Sequence, residues 1–272
     1  MYTRSEWRLI VHGEAGGATN MAIDEAILGA VAGGRSLPTL RLYAWAPPCL
    51  SLGRNQPLSD IDLEACRAAG ADVVRRPTGG RAILHTDELT YSVALPASDP
   101  RAAADVMEGY RRLSEGLLAG LRRLGVDAGP AGQGCRRQGE TGPACFEVPS
   151  THEITAGGRK VAGSAQWRGR GGVLQHGSLP VRGDLGRIAD LLALPQAERE
   201  TLRQAVRSRG ITLEEALGRA VPLAEAAAAL AAGFAEALTL TLVQGDLTRA
   251  ELARAAELRA GRYASLGSAH TS

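Results

Sequence analysis

The sequence predicts an α+β fold: a mixed, largely antiparallel sheet flanked by helices, with a helical C-terminal segment. Three observations carry this expectation. Strand-like segments cluster and pair across glycine turns up to about residue 179. Helix-like segments are interspersed among them without strict strand–helix alternation. From Asp184 onward nearly all the periodicity is helical. The 272 residues read as one unit, 1–272, of which about 184–272 form the helical part.

The elements follow in order. Trp7 to Val11 reads as a strand. Asn20 can cap a helix through Val31, with Asp24 and Glu25 suited to its first turns. Thr39 to Tyr43 and Cys49 to Gly53 read as short strands separated by Pro47 and Pro48. A helix over about Asp60 to Ala69 precedes a strand from Asp72 to Arg75. Arg76 to Arg81 is a tight turn leading into Ala82, Ile83 and Leu84. Leu89 to Leu95 alternates as a strand does, with β-favouring Thr90, Tyr91 and Val93.

Apolar residues at 106, 110, 113, 117, 118 and 121 predict a long amphipathic helix over about Ala102 to Leu124. Ala128 to Pro143 lacks periodicity and reads as a loop. Strands are expected at His152 to Ala156, Lys160 to Trp167 and Val173 to Leu179. Thr212 with Glu215, and Thr248 with Glu251, match the capping-box pattern, and Ala226 to Ala232 favours helix.

A net charge of +2, with acids interspersed among the arginines, argues against a nucleic-acid-binding face. No run of eighteen apolar residues predicts a membrane span, and the N-terminal residues lack a signal-peptide pattern. The cysteines, Cys49, Cys66, Cys135 and Cys145, are too few for a stapled secreted scaffold. Reduced thiols and a cytoplasmic location are the expectation.

Of 31 basic residues only Lys160 is lysine. Arginine replaces lysine wherever a positive charge merely faces water. It does not replace a compact ammonium that must fit a site or exchange a proton. Lys160 therefore stands out, against the plainer reading of an arginine-biased chain with one leftover lysine on a hairpin.

Two further clusters carry chemistry. Arg75, Arg76, Pro77, Thr78, Gly79, Gly80 and Arg81 close one strand and open another, and paired glycines let a ligand approach backbone amides. Their spacing matches neither a P-loop nor a dinucleotide fingerprint. Cys145, beside the bend at Pro149, can present a thiol whose pKa a nearby cation would lower. No metal-ligand spacing links Cys135, Cys145 and His152, so no metal is expected. His85 and His176 suit acid–base work or a structural hydrogen bond. No G-x-S-x-G elbow supports a serine nucleophile.

The segments Val74 to His85, Cys145-Phe146-x-x-Pro149-Ser150, Gly158 to Gln166 and Gln175 to Ser178 resemble the lipoate/biotin protein ligase and lipoyltransferase family in order and spacing. Asn20 to Glu25 and Arg262 to Ser265 fit the same pattern. The resemblance spans almost the entire chain. It implies a lipoyltransferase/ligase-type catalytic domain of the class II biotin-synthetase kind. The branch most resembled is the cysteine-dependent octanoyltransferases, which move an octanoyl group from acyl carrier protein to a lipoyl-domain lysine, as on glycine-cleavage H protein.

On that resemblance Cys145 is the nucleophile and Lys160 the family's lysine. Arg75, Arg76, Thr78, Gly79, Gly80, Arg81, His85, Gly163, Ser164, Ala165, Gln166, His176 and Gly177 form the substrate site. A monomer without cofactors is implied. Ser51 to Gln56 looks more like the ATP-dependent lipoate–protein ligases, which would need ATP and magnesium, and Asp87 stands one position later than the pattern has it. The ligase is the alternative, and a non-catalytic lipoyl-domain binder a third reading.

Overall fold

The computed structural model describes residues 2–131 and 153–264. Its strands are β1 (Ser5–Ala15), β2 (Thr39–Trp45), β3 (Cys49–Leu52), β4 (Asp72–Arg75), β5 (Ile83–His85), β6 (Glu88–Pro96), β7 (Ala128–Pro130), β8 (Ile154–Ala156), β9 (Arg159–Gly169), β10 (Gly172–Pro180) and β11 (Leu240–Gln244). The helices are α1 (Gly17–Ala32), α2 (Leu63–Ala68), α3 (Val106–Leu124), α4 (Gln196–Arg209), α5 (Leu213–Leu217), α6 (Leu223–Ala237) and α7 (Arg249–Ala260). A large sheet runs β11-β1-β2-β6-β10-β9-β8-β7, and a small one runs β4-β3-β5. In the large sheet β1 pairs in parallel with β11 and β2, and the remaining pairs are antiparallel. The expected mixed, largely antiparallel sheet is thus present.

Strand alternation sorts the buried residues into two layers. Leu40, Leu42, Tyr91 and Val93 pack with Leu113, Leu117 and Leu121 of α3 and with Leu230 and Phe234 of α6. The opposite face carries Ile10, Tyr43, Trp45, Ala94 and Leu174 against Met21, Ile27 and Val31 of α1 and Leu258 of α7. A third cluster joins Leu50 and Leu52 of β3 to Leu202 and Val206 of α4 and to the 3-10 segment Leu185–Leu191. Helices α3 and α6 cross closely: a Cβ on Gly233 would lie 2.1 Å from the Gly120 nitrogen. Glycine is the residue that fits there.

Several boundaries differ from the sequence reading. Helix α1 starts at Gly17, and Asn20 does not cap it. The Asn20 side chain is buried and donates to the carbonyls of Ala15 and Ala44. Asp24 is also buried, bound by Arg41, Tyr43 and Ser92, and so does not serve as a first-turn surface charge. Helix α3 starts at Val106 because Asp105 accepts from the Glu108 amide, and Val106 itself is exposed.

The expected loop from Ala128 begins as β7, paired with β8. Strand β11, absent from the sequence reading, adds to the edge of the large sheet beside β1. Its side chains are mostly exposed, which weakens the alternation signal. The Thr248–Glu251 capping box forms as expected. Thr212 caps α5, whereas the Glu215 carboxylate pairs with Arg159. Among the described residues no helix is long and apolar enough to cross a membrane.

Candidate active site

The site grows from the register of the large sheet. On β10, His176 stands opposite Ala165 of β9 and Ser92 of β6. Two residues on, Ser178 stands opposite Gly163 and Thr90. The period-2 rule puts these residues on one face, and small residues at 163 and 165 leave a slot above the sheet. Arg76, Gly80, Ile83 and His85 close the slot from the small sheet. The predicted residues Arg76, Gly80, His85, Gly163, Ser164, Ala165, His176 and Gly177 all line it. Ile83, Thr90 and Ser178 join them without having been among the predicted site residues.

The turn between β4 and β5 is held from within. The Arg76 guanidinium is buried and donates to the carbonyls of Ser51 (2.9 Å), Gly79 (2.8 Å) and Arg81 (2.8 Å). Three carbonyls drawn toward one cation fix the turn's shape, and charge-assisted bonds of this kind are the strong ones. Gly80 takes φ +95°, a left-handed conformation that favours glycine, and a Cβ at Gly53 would meet its carbonyl oxygen at 1.9 Å. Arg75 points elsewhere: its guanidinium donates to the carbonyls of Gly53 and Gln56, bracing the neighbouring segment. Gly79 is exposed, with open space around its Cβ position. Arg81 contributes its carbonyl to Arg76.

A buried hydrogen-bond chain backs the slot. His85 shares hydrogen bonds with Ser51 Oγ (2.8 Å) and Glu88 Oε1 (2.7 Å), and its ring stacks on Trp45. Glu88 also accepts from Thr90 Oγ1 and Ser178 Oγ. Burial pushes the Glu88 carboxyl up, but the His85 charge and these three hydrogen bonds outweigh it and hold the pKa below the usual value. His176 Nε2 shares a 2.6 Å hydrogen bond with Thr78 Oγ1. Burial, then the Arg76 and His85 charges, push the His176 pKa down to about 3, so its ring is neutral near pH 7.

Lys160 is buried, at 4% exposure, and its Nζ lies 2.5 Å from Oε1 of Glu153, itself 6% exposed. A solvated hairpin lysine would show neither property. Lys160 is not among the described residues lining the slot. Gln166 faces the α3 side of the sheet, donating to Gln175, which in turn donates to the Tyr91 hydroxyl.

Cys135, Cys145 and His152 lie outside the described residues, as does Ser265. The two described cysteines, Cys49 and Cys66, are buried free thiols. Burial, with Asp72 and Glu88 nearby, drives the Cys49 pKa well up. Burial and Asp62 push that of Cys66 up to about 11. Neither is a thiolate near neutrality. Among the described residues no group of three His, Cys, Asp or Glu side chains could hold a metal ion.

Sequence reasoning missed Glu153, Glu88, Ser51 and Asp24. Glu88 had a readable signal, three residues after His85 at the head of a strand. Glu153 had none, because its role depends on the pairing of β8 with β9.

A lysine buried on a sheet strand, and a guanidinium-braced glycine turn that lines a slot with small residues of β9, match the sequence resemblance. The chain belongs to the lipoyl protein ligase A/B catalytic domain family, whose match covers residues 17–235. It is 47% identical over 265 residues to "Octanoyltransferase LipM" of Symbiobacterium thermophilum, covering 95% of this chain and 96% of that one. The protein of the same name from Moorella thermoacetica is 45% identical, covering 95% of each chain. Among solved structures, the bipartite lipoate protein ligase of Thermoplasma acidophilum superposes with a TM-score of 0.80 at 26% identity, covering 95% of this chain and 93% of that one. A lipoate-protein ligase A bound with ATP gives 0.77 at 27% identity, covering 94% and 95%. The fold and the family are therefore those the motifs implied.

Proposed function

We propose that this protein is an octanoyltransferase that moves an octanoyl group from acyl carrier protein to a lysine of a lipoyl-domain protein such as glycine-cleavage H protein. The observation that carries this reading is the similarity, over nearly the whole of both chains, to octanoyltransferases at 47% and 45% identity. Cys145 is the nucleophile in this reading. Its thiolate attacks the donor thioester carbonyl, and the pantetheine sulfur leaves and takes a proton. The acceptor lysine amine, once deprotonated, then attacks the Cys145 thioester. An amide forms, the thiolate is released, and no ATP is consumed. The raised pKa values of Cys49 and Cys66 support this assignment, since neither supplies a thiolate.

Lys160 provides the positive charge that favours the thiolate and then the developing oxyanion. Glu153 orients it, holding the ammonium in a buried ion pair. The glycine turn and the slot beside Gly80, Gly163 and His176 receive the acyl chain, and the neutral His176 adds no charge to that apolar load. Residues 75, 78, 79 and 81 shape the approach to it.

The test is intact-mass analysis after incubation with octanoyl carrier protein. The wild type gains one octanoyl group, hydrolysable at alkaline pH, and Cys145→Ala gains none. Ligation of lipoate to a lipoyl domain with ATP, undiminished in Cys145→Ala, would establish the ligase chemistry in its place.

A further inference from the structure

Between α1 and α7 lies a groove of about 430 Å³ that the transfer chemistry does not use. Its floor is apolar, built from Ala26, Leu28 and Ala32 of α1 with the ring of Trp167. Five arginines line it: Arg35, Arg54, Arg170, Arg254 and Arg262. Against them stand two carboxylates, and both are occupied. Glu251 holds Arg8 through two bonds of 2.8 and 2.7 Å, and Glu25 accepts from Arg262 and from the Tyr263 hydroxyl. Arg35, Arg54, Arg170 and Arg254 are exposed, and of these only Arg254 forms an ion pair among the described residues, with Glu257. An array of like charges around an apolar trough repels itself, and an anionic occupant relieves that repulsion.

The groove and the slot are both lined by the turn between β4 and β5, the groove by Pro77 and the slot by Arg76 and Gly80. Arg54 also lines the groove, and its amide donates to the Thr78 carbonyl of that turn. Pro77 is the sequence neighbour of Arg76, which lines the slot.

We propose that this groove is the docking surface for the thioester donor, an acidic carrier protein whose phosphate-linked arm lies along the apolar floor with its phosphate against the arginines. The inference rests on the octanoyl-transfer reading. Planar guanidinium forks match phosphate and carboxylate oxygens in pairs, which a scatter of lysines would not do. The acceptor brings a lysine and no phosphate, so charge complementarity favours the donor.

The test uses Arg170→Glu, Arg254→Glu and the double variant. Transfer is measured from octanoyl carrier protein and from octanoyl-pantetheine, which lacks both the protein and the phosphate. Each reversal should raise the KM for the carrier protein about tenfold and leave kcat unchanged, because rim charges act on encounter and specificity. The variants should also lose part of the wild-type salt dependence of kcat/KM. Kinetics with octanoyl-pantetheine should not change. Unchanged KM for the carrier protein in an active double variant would overturn the proposal, as would a rise confined to the KM of the lipoyl-domain acceptor. Equal losses with both donors would overturn it too, since the effect would then not be docking. A wild type that takes the acyl group from neither donor would instead overturn the octanoyl-transfer reading itself.

Discussion

The same strands present two different faces to the two layers of the molecule. Toward α3 and α6, β2 and β6 offer Leu40, Leu42, Tyr91 and Val93. Toward α1 they offer Arg41, Tyr43, Thr90 and Ser92, drawn into a buried polar web. Arg41 donates to Asp24 (2.8 Å) and to the Asn20 side chain (2.7 Å), while Tyr43 and Ser92 donate to the two Asp24 oxygens. Asp24 Oδ2 lies 4.0 Å from His176 Nδ1, so the web ends at the slot. The α3 face is mainly apolar packing. The other gives up apolar contact to hold charged and hydrogen-bonding groups in fixed positions, as a reactive site requires. The slot therefore lies on the α1 side of the sheet.

Substitutions on the two sides should separate these roles. Asp24→Ala leaves the Arg41 guanidinium buried without its carboxylate. It should cost about 3–5 kcal/mol in urea unfolding, the usual result of breaking a buried pair. It should also lower transfer by the molecules that remain folded, since His176 loses its neighbour. Leu117→Ala, on the apolar side, should cost about 2–5 kcal/mol through the cavity it leaves, with transfer per folded molecule unchanged. If the two variants lose activity per folded molecule equally, the faces are not functionally distinct.

A smaller effect comes from His176. Its folded-state pKa is lowered to about 3 from the ordinary 6.5, so between these values the unfolded chain binds the extra proton. Stability therefore rises with pH through that window and is lost as the pH falls from about 6.5 toward 3. Melting temperatures followed across it should fall less steeply in His176→Gln than in the wild type. Parallel slopes would mean that another group governs the acid limb.

Much of the site was legible in the sequence because its signals are local. The Arg76 to His85 turn announces itself by adjacent glycines between arginines, and Lys160 by being the one lysine among 31 basic residues. His176, Gly163 and Ala165 share period-2 positions on neighbouring strands. What was not legible depends on partners far apart in the chain. Asp24 looks like an ordinary first-turn acid until Arg41 and Ser92, 17 and 68 residues away, are brought to it. Glu153 needs the β8–β9 pairing to meet Lys160. Strand β11 is short, mostly exposed and set among helices, and only its pairing with β1 makes it a strand. The separate three-stranded sheet was hidden for the same reason: its members were recognised singly, and their association is a tertiary fact.

The central claim is that Lys160 serves the reaction as a compact ammonium and not as a generic positive charge. Lys160 is held in a buried pair with Glu153, and a guanidinium in its place would be larger and would give up no proton near neutral pH. The direct measurement is the single-turnover rate of octanoyl loading, followed by intact mass, in Lys160→Arg against the wild type. The variant should load on the order of 10²-fold more slowly, the scale of a lost acid–base or charge-stabilising group. Loading at the wild-type rate would contradict the assignment.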